Sequence, residues 1–395
     1  MVDQTDLALT WTMVEDDAAL AEAAEALASG TGPIGIDTER ASGFRYGGDA
    51  YLVQVFRRGS GTFLFDPLGI ESFAPLARAL ADTEWVLHAA TQDIPCLDEL
   101  GLHPPDLFDT ELAARILGFE RVGLGALVEA KLGITLAKAH SAADWSRRPL
   151  PESWLEYAAL DVALLPDLRD AIAADLEAAE KSEFVRQEFA DILVRTPKPP
   201  AEQPWRRLSG LSKLRSPRDL AVARELWAAR DALARERDVA PGRLLPDSSI
   251  VSAAAAGPRS PGALAGPRSS SGRTSRSELE RWWQAIMSGK TTTDLPELRY
   301  REPGTLPQHR SWANRYPDAA ARLQAGREAL DAVCERWSIP RENLLTPEVL
   351  RRLAWQPPES LTVEAVDARL AELGAREWQR SITAPILTEA FVGIA

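Results

Sequence analysis

At 395 residues and 43.1 kDa, with 45% hydrophobic and 26% charged residues, the chain is too long for one ordinary core and reads as two or three globular domains. That composition excludes fibrous and largely disordered proteins, and two distant cysteines, Cys96 and Cys334, exclude a disulfide scaffold and fit a reducing compartment without a disulfide partner. The first residues, Met-Val-Asp-Gln-Thr-Asp, lack the basic and apolar regions of a signal peptide, and no apolar run spans a bilayer, so the expectation is a cytoplasmic protein with no membrane partner.

The net charge of −13 is unevenly spread. Residues 1–195 carry 15 Lys+Arg against 34 Asp+Glu, a balance of −19; residues 196–290 carry 17 against 9, or +8; residues 291–395 carry 13 against 15, or −2. An acidic first half and a basic middle fit a metal-dependent catalytic domain joined to a module that holds a polyanion, although accidental surface charge fits equally well.

Taken in order, residues 16–27 are alanine-rich with acidic residues in the first turn and Gly30 following, which predicts a capped helix. Residues 34–39 (Ile-Gly-Ile-Asp-Thr-Glu) form an apolar run ending in two carboxylates. On a strand Asp37 and Glu39 project from one face, while Thr38 points away toward the core with no predicted function. Same-face carboxylates repel unless a cation or a proton joins them, yet taken alone this tripeptide reads as a polar strand end. Residues 51–56 and 62–66 are short, aromatic and β-branched, with a glycine-containing hairpin loop between them, so the sheet begins antiparallel. A helix over 72–80 and a strand over 85–88 follow, then helical patterns to about residue 195. The order implies a mixed sheet covered by helices.

Asp93 ends the stretch His-Ala-Ala-Thr-Gln-Asp, with Pro95 suited to a first helical turn; alone, it reads as a helix cap, and His88 as a hydrogen-bonded core residue. Residues 154–169 predict one amphipathic helix with Tyr157 and Asp161 one turn apart on the same face. Asp161 lies among Leu160, Val162 and Leu164, where an unpaired carboxylate is costly and a metal would explain it.

Four prolines within 196–204 mark a spacer. Beyond it the pattern is all-α: a helix over 217–237, a Gly/Pro/Ser/Arg-rich stretch over 256–277, a helical segment over 279–286 with Trp282 and Trp283, a second linker over 291–317, and four helical segments to residue 391. The expected domains are therefore 1–195, 205–290 and 318–395.

Asp-Thr-Glu at 37–39, the stretch ending at Asp93, Phe-Asp-Thr-Glu-Leu-Ala-Ala-Arg-Ile-Leu-Gly at 108–118, Ala-Asp-Trp-Ser-Arg-Arg-Pro-Leu at 143–150 and Tyr-x-x-x-Asp at 157–161 together resemble the ordered motifs of the DEDD 3′-5′ exonucleases, and more narrowly the ribonuclease D family. Glutamate at 156, where the histidine branch carries its base, and Tyr157 one residue on place it in the tyrosine branch. The resemblance implies a ribonuclease H-like α/β exonuclease domain followed by two small all-α domains. Of these, 205–290 is similar to the HRDC nucleic-acid-binding module and 318–395 to a divergent second copy. It implies two divalent ions, Mg²⁺ or Mn²⁺, with Asp37 bridging both, Glu39 and Asp161 completing one site, Asp93 serving the other, and Tyr157 positioning the attacking water or helping to deprotonate it; a phenol with a pKa of ~10 is a poor base at neutral pH, which favours positioning.

The implied substrate is the 3′ end of RNA, in particular structured RNA such as tRNA precursors, and the implied state a monomer. A DNA-directed exonuclease and an inactive nucleic-acid-binding adaptor are the alternatives. Lys213, Arg215, Arg218, Arg259, Arg268, Arg273 and Arg276 are the candidate phosphate contacts, against a solvated face or a floppy loop. Trp282, Trp283 and Trp312 are candidates for base stacking, against a role in the core.

Overall fold

The computed structural model describes residues 2–3, 9–136, 142–196, 199–265 and 277–394. Its centre is a six-stranded sheet in the order β2-β5-β4-β3-β6-β7, with β2 at Trp11–Val14, β3 at Thr31–Arg40, β4 at Ala50–Arg58, β5 at Gly61–Phe65, β6 at Glu84–Leu87 and β7 at Asp106–Asp109. β3, β4 and β5 form the expected antiparallel meander, and β6 and β7 add in parallel beside β3. A two-residue strand β1 (Val2–Asp3) pairs with β8 (Ile134–Thr135) apart from the main sheet. Strands β2 and β7 are too short for their alternation to stand out in the sequence, and both lie at the sheet edges.

Alternation along β3 is the organising pattern. Ile34 and Ile36 are fully buried in the main core, while Gly35, Asp37 and Glu39 occupy the other face. Helices α6 (Glu152–Ala163) and α7 (Leu165–Ala178) pack there. The sequence predicts one helix through 154–169; the structure divides it at Leu164. Pro166 has no N–H to give the carbonyl of Val162 four residues earlier, so the helix breaks. That carbonyl instead faces Gly35, where an added Cβ would lie 2.4 Å from it. Only a glycine lets the α6–α7 corner approach the strand so closely.

Helices α1 (Asp17–Ala28) and α2 (Ala74–Ala79) pack on each other, α1 also resting on β2 and β5, while α3 (Ile94–Glu99), α4 (Thr110–Leu117), α5 (Leu124–Leu132) and α8 (Ser182–Val194) complete the α/β domain. Two helical units follow. Each has a 21-residue helix, Pro217–Arg237 or Pro317–Trp337, ended by a left-handed residue, Asp238 or Ser338, then a single turn and a further helix.

The units attach differently. The first has its own core, built on Trp205, Leu226, Leu233, Ile250, Trp282 and Ile286. It meets the α/β domain at the loop after β3: Ala240 N–H donates to Phe44 O (2.9 Å), Arg45 pairs with Asp238 (3.2 Å), and Tyr46 donates to Asp231 (3.1 Å). The second shares the main core, Trp312, Leu330, Leu353 and Phe391 belonging to the same cluster as Ile34. Across that seam buried Glu188 takes two bonds from Arg376 (2.7 and 2.6 Å) and one from Trp378 Nε1 (2.9 Å), and Lys181 Nζ donates to Ile116 O (2.7 Å) and Trp337 O (2.6 Å).

Because the clash at Gly35 is with backbone, Gly35→Ala is expected to lower stability by about 3 kcal/mol, the upper end of the overpacking range. Urea unfolding measures it; a midpoint equal to wild type would show that the corner can retreat freely.

Candidate active site

The five residues singled out from the sequence come together. Asp37 and Glu39 from β3, Asp93 from the turn after β6, and Tyr157 and Asp161 from α6 line one cavity of about 470 Å³, with Thr38, Arg40, Ser42, His88 and Glu111 on its walls. Asp93, Asp161 and Glu39 are nearly buried, at 4%, 7% and 6% exposure, whereas Asp37 keeps some surface toward the cavity. Arg40 is the only Lys or Arg among the lining residues, and no hydrogen bond or ion pair holds its guanidinium among the described residues.

Every carboxyl in the group holds its proton more tightly than usual. Desolvation is the largest cause for Asp37, followed by the charges of Asp93, Glu39 and Asp161, and pushes it well above the ordinary range. Desolvation with the charges of Asp161 and Asp93 lifts Glu39 to about 8. Burial lifts Asp161 to about 7, a bond from Tyr157 partly offsetting it, and Asp93 to about 6, a bond from Thr38 offsetting it. The Tyr157 phenol is itself pushed up, first by burial and then by Asp161, so it stays protonated and donates to that carboxylate.

Asp93 begins α3 but makes no side-chain capping bond; its Oδ1 accepts from Thr38 Oγ1 at 2.7 Å instead. The cap reading of Asp93 is therefore replaced, and Thr38 gains a role that alternation alone denied it. His88 behaves as expected, with Nδ1 2.9 Å from Thr110 Oγ1 and burial lowering its pKa to about 4, so it is neutral. Sequence reasoning missed Asp109. Its carboxylate accepts from the N–H groups of Ala89 (3.1 Å), Ala90 (2.9 Å), Glu111 (2.9 Å) and Leu112 (3.1 Å). This ties down the left-handed Ala89 (φ 62°) just before Asp93. Its place within Phe-Asp-Thr-Glu was the available signal.

The basic candidates lie elsewhere. Lys213, Arg215 and Arg259 are exposed on the first helical unit, and Arg218 is occupied, donating to Gly289 O (3.1 Å) and Thr292 O (2.6 Å) at the end of helix Leu279–Thr291. Arg268, Arg273 and Arg276 lie outside the described residues. Trp282 and Trp312 are buried, and Trp283 is half-buried with Lys290 5.8 Å from its ring centroid.

Four enclosed carboxylates, each with its pKa raised chiefly by burial and Asp37 and Glu39 further raised by their acidic neighbours, form an all-oxygen donor set suited to hard divalent cations. Among the described residues, no three His, Cys, Asp or Glu side chains have already converged to hold one ion. The donors fit such ions in chemistry.

This fold and acidic cavity define the chain as a 3′-5′ exonuclease. Residues 11–177 match the family described as 3′-5′ exonuclease, 219–286 the HRDC domain, and 305–391 the 3′ to 5′ exonuclease C-terminal domain. The chain is 32% identical over 303 residues to ribonuclease D of Nitrobacter hamburgensis, covering 75% of this chain and 73% of that one. It is 33% identical over 261 residues to that of Escherichia coli, covering 65% and 69%. Among solved structures, a protein from Bifidobacterium adolescentis superposes with a TM-score of 0.87 at 37% identity, over 97% of each chain. Escherichia coli RNase D, an exoribonuclease involved in structured RNA processing, does so with 0.70 at 28%, over 98% of this chain and 99% of that one. The chain belongs to the ribonuclease D family.

The raised pKa values fix a sign. Each carboxyl binds its proton more tightly folded than unfolded, so the metal-free fold gains most below the unfolded values, 3.8 for Asp and 4.5 for Glu, and loses that gain as pH rises toward about 8. In chelator, Asp37→Asn is expected to melt higher than wild type near pH 8, with the gap closing toward about pH 4. Calorimetric melts across that range measure it, and a gap independent of pH would contradict the shared charge.

Proposed function

We propose that this protein removes nucleotides one at a time from RNA 3′ ends by divalent-ion-assisted hydrolysis, acting on structured RNA such as tRNA precursors. The observation that carries the reading is the single cavity holding Asp37, Glu39, Asp93 and Asp161 with Tyr157. Asp37, Glu39 and Asp161, together with Asp93 held by Thr38, would hold the ions, with Asp37 shared between them. When bound, two ions of the Mg²⁺ or Mn²⁺ type lower the pKa of the attacking water and neutralise charge at the phosphate.

The chain's own residues set the geometry. Tyr157 orients the water by hydrogen bonding, and the burial and the Asp161 charge that raise its pKa disfavour it as the base. Arg40, on the cavity wall and without a partner among the described residues, contacts a substrate phosphate. Lys213, Arg215 and Arg259, which are exposed, hold the RNA body without reading its sequence. Likeness to an exoribonuclease of structured RNA processing supports RNA over DNA.

Asp37→Ala and Asp161→Ala are expected to abolish release of 3′-labelled nucleotides, by a factor of about 1,000 or more, with the far-ultraviolet spectrum unchanged. Full activity in either would end the two-ion assignment. Tyr157→Phe is expected to lower kcat by about 100-fold with KM little changed, as for loss of a positioned hydrogen bond; unchanged kcat would remove its role. Matched RNA and DNA, single-stranded and with a stem, assayed with Mg²⁺ and Mn²⁺, separate the substrates, and equal rates on DNA would overturn the RNA assignment.

A further inference from the structure

Strand β4 places Gln54 directly opposite Asp37 in the antiparallel register, as Leu52 stands opposite Glu39. Side chains opposite one another across such a pair share a face, with Cβ atoms about 4.5–5.5 Å apart. Val53 and Val55 turn the other way, into the main core. Leu52 packs with Ala158 and Ala159 of α6, so Gln54 lies sealed beneath that helix, beside the carboxylate of Asp37.

The amide there is anomalous. Gln54 has 0% exposure, and neither Nε2 nor Oε1 has a hydrogen-bond partner among the described residues. An enclosed primary amide without partners is unfavourable on both its donor and acceptor sides, and an apolar side chain of the same length would fold more stably. A residue that weakens the fold where leucine or methionine would strengthen it calls for a partner that arrives later. The polar group facing it across the ladder is Asp37.

We propose that Gln54 is a positioning residue of the exonuclease site, its amide Nε2 donating to the Asp37 carboxylate once divalent cations are bound. The bond fixes which carboxylate oxygen faces the ions. An amide suits the task because it adds no charge to an already crowded group. The inference rests on the metal-dependent reading above, and deepens it by naming the residue that supports the shared carboxylate.

The test is Gln54→Met in the full chain, read by metal-free melting, by Mn²⁺ titration, and by kcat and KM on 3′-labelled RNA at saturating Mn²⁺. The variant is expected to melt roughly 2–4 °C higher without metal. It should bind Mn²⁺ about 10- to 100-fold more weakly and lose kcat by a similar factor with KM within threefold. Opposite signs in stability and function are what a packing role cannot produce.

Mn²⁺ affinity and kcat within twofold of wild type would overturn the proposal, as would a lower metal-free melting temperature with function unchanged. Should Gln54→Met not fold, selective ¹⁵N-glutamine spectra of the wild type decide it. A side-chain amide pair that shifts on Mg²⁺ addition, and does so no longer in Asp37→Asn, supports the bond, and its absence refutes it. Asp37→Ala runs in parallel: if that variant keeps metal-dependent activity, the two-ion reading has failed, whereas loss in Asp37→Ala with an unaffected Gln54→Met sinks the Gln54 assignment alone.

Discussion

The approach of a strand to a helix corner at one glycine sets much of this structure. Because Pro166 cannot donate to Val162, the helix breaks, and its freed carbonyl needs a surface with no side chain. Gly35 supplies it, with room for nothing larger than hydrogen. Asp161 precedes Val162 by one residue and Asp37 follows Gly35 by two, so the contact that closes the corner also brings two distant carboxylates into the same cavity. The site is a consequence of packing before it is a consequence of chemistry.

That packing carries an electrostatic penalty which the fold leaves standing. Four carboxyls share an enclosed volume, and no lysine or arginine among the described residues pairs with any of them. Arg40 lowers the values of Glu39 and Asp93 without meeting either. A close ion pair would relieve the strain but would also occupy the donors a cation needs. The hydrogen bonds present act at the edges: Thr38 on Asp93, Tyr157 on Asp161, and four backbone N–H groups on Asp109 below them. Each orients a group without neutralising the whole.

The legible parts of the sequence were those whose meaning is local. Alternation put Asp37 and Glu39 on one face, helical spacing put Tyr157 and Asp161 together, and the 217–237 pattern gave a helix over those same residues. What could not be read depends on neighbours far along the chain. The Thr38–Asp93 bond joins residues 55 apart, and the Gln54–Asp37 pairing depends on β4 register. Short edge strands β2 and β7 gave too few residues for a period to show. Counting basic residues also misled in part, because Arg218, Arg224, Arg230 and Arg237 in the basic middle are consumed by carbonyls and carboxylates of their own unit.

The two helical units look like siblings in helix order, yet one is a guest and the other part of the body. The first keeps a private core and rests on the α/β domain through a polar latch at residues 43–46. The second has no core to itself, since Trp312, Leu330 and Phe391 finish the one begun by β3. Beyond the proline spacer, therefore, come one unit with its own core and one that completes the core of the α/β domain. Substitutions in the terminal helices are therefore felt in the core of the α/β domain, through the seam with α8, while the core of the first unit is insulated from them.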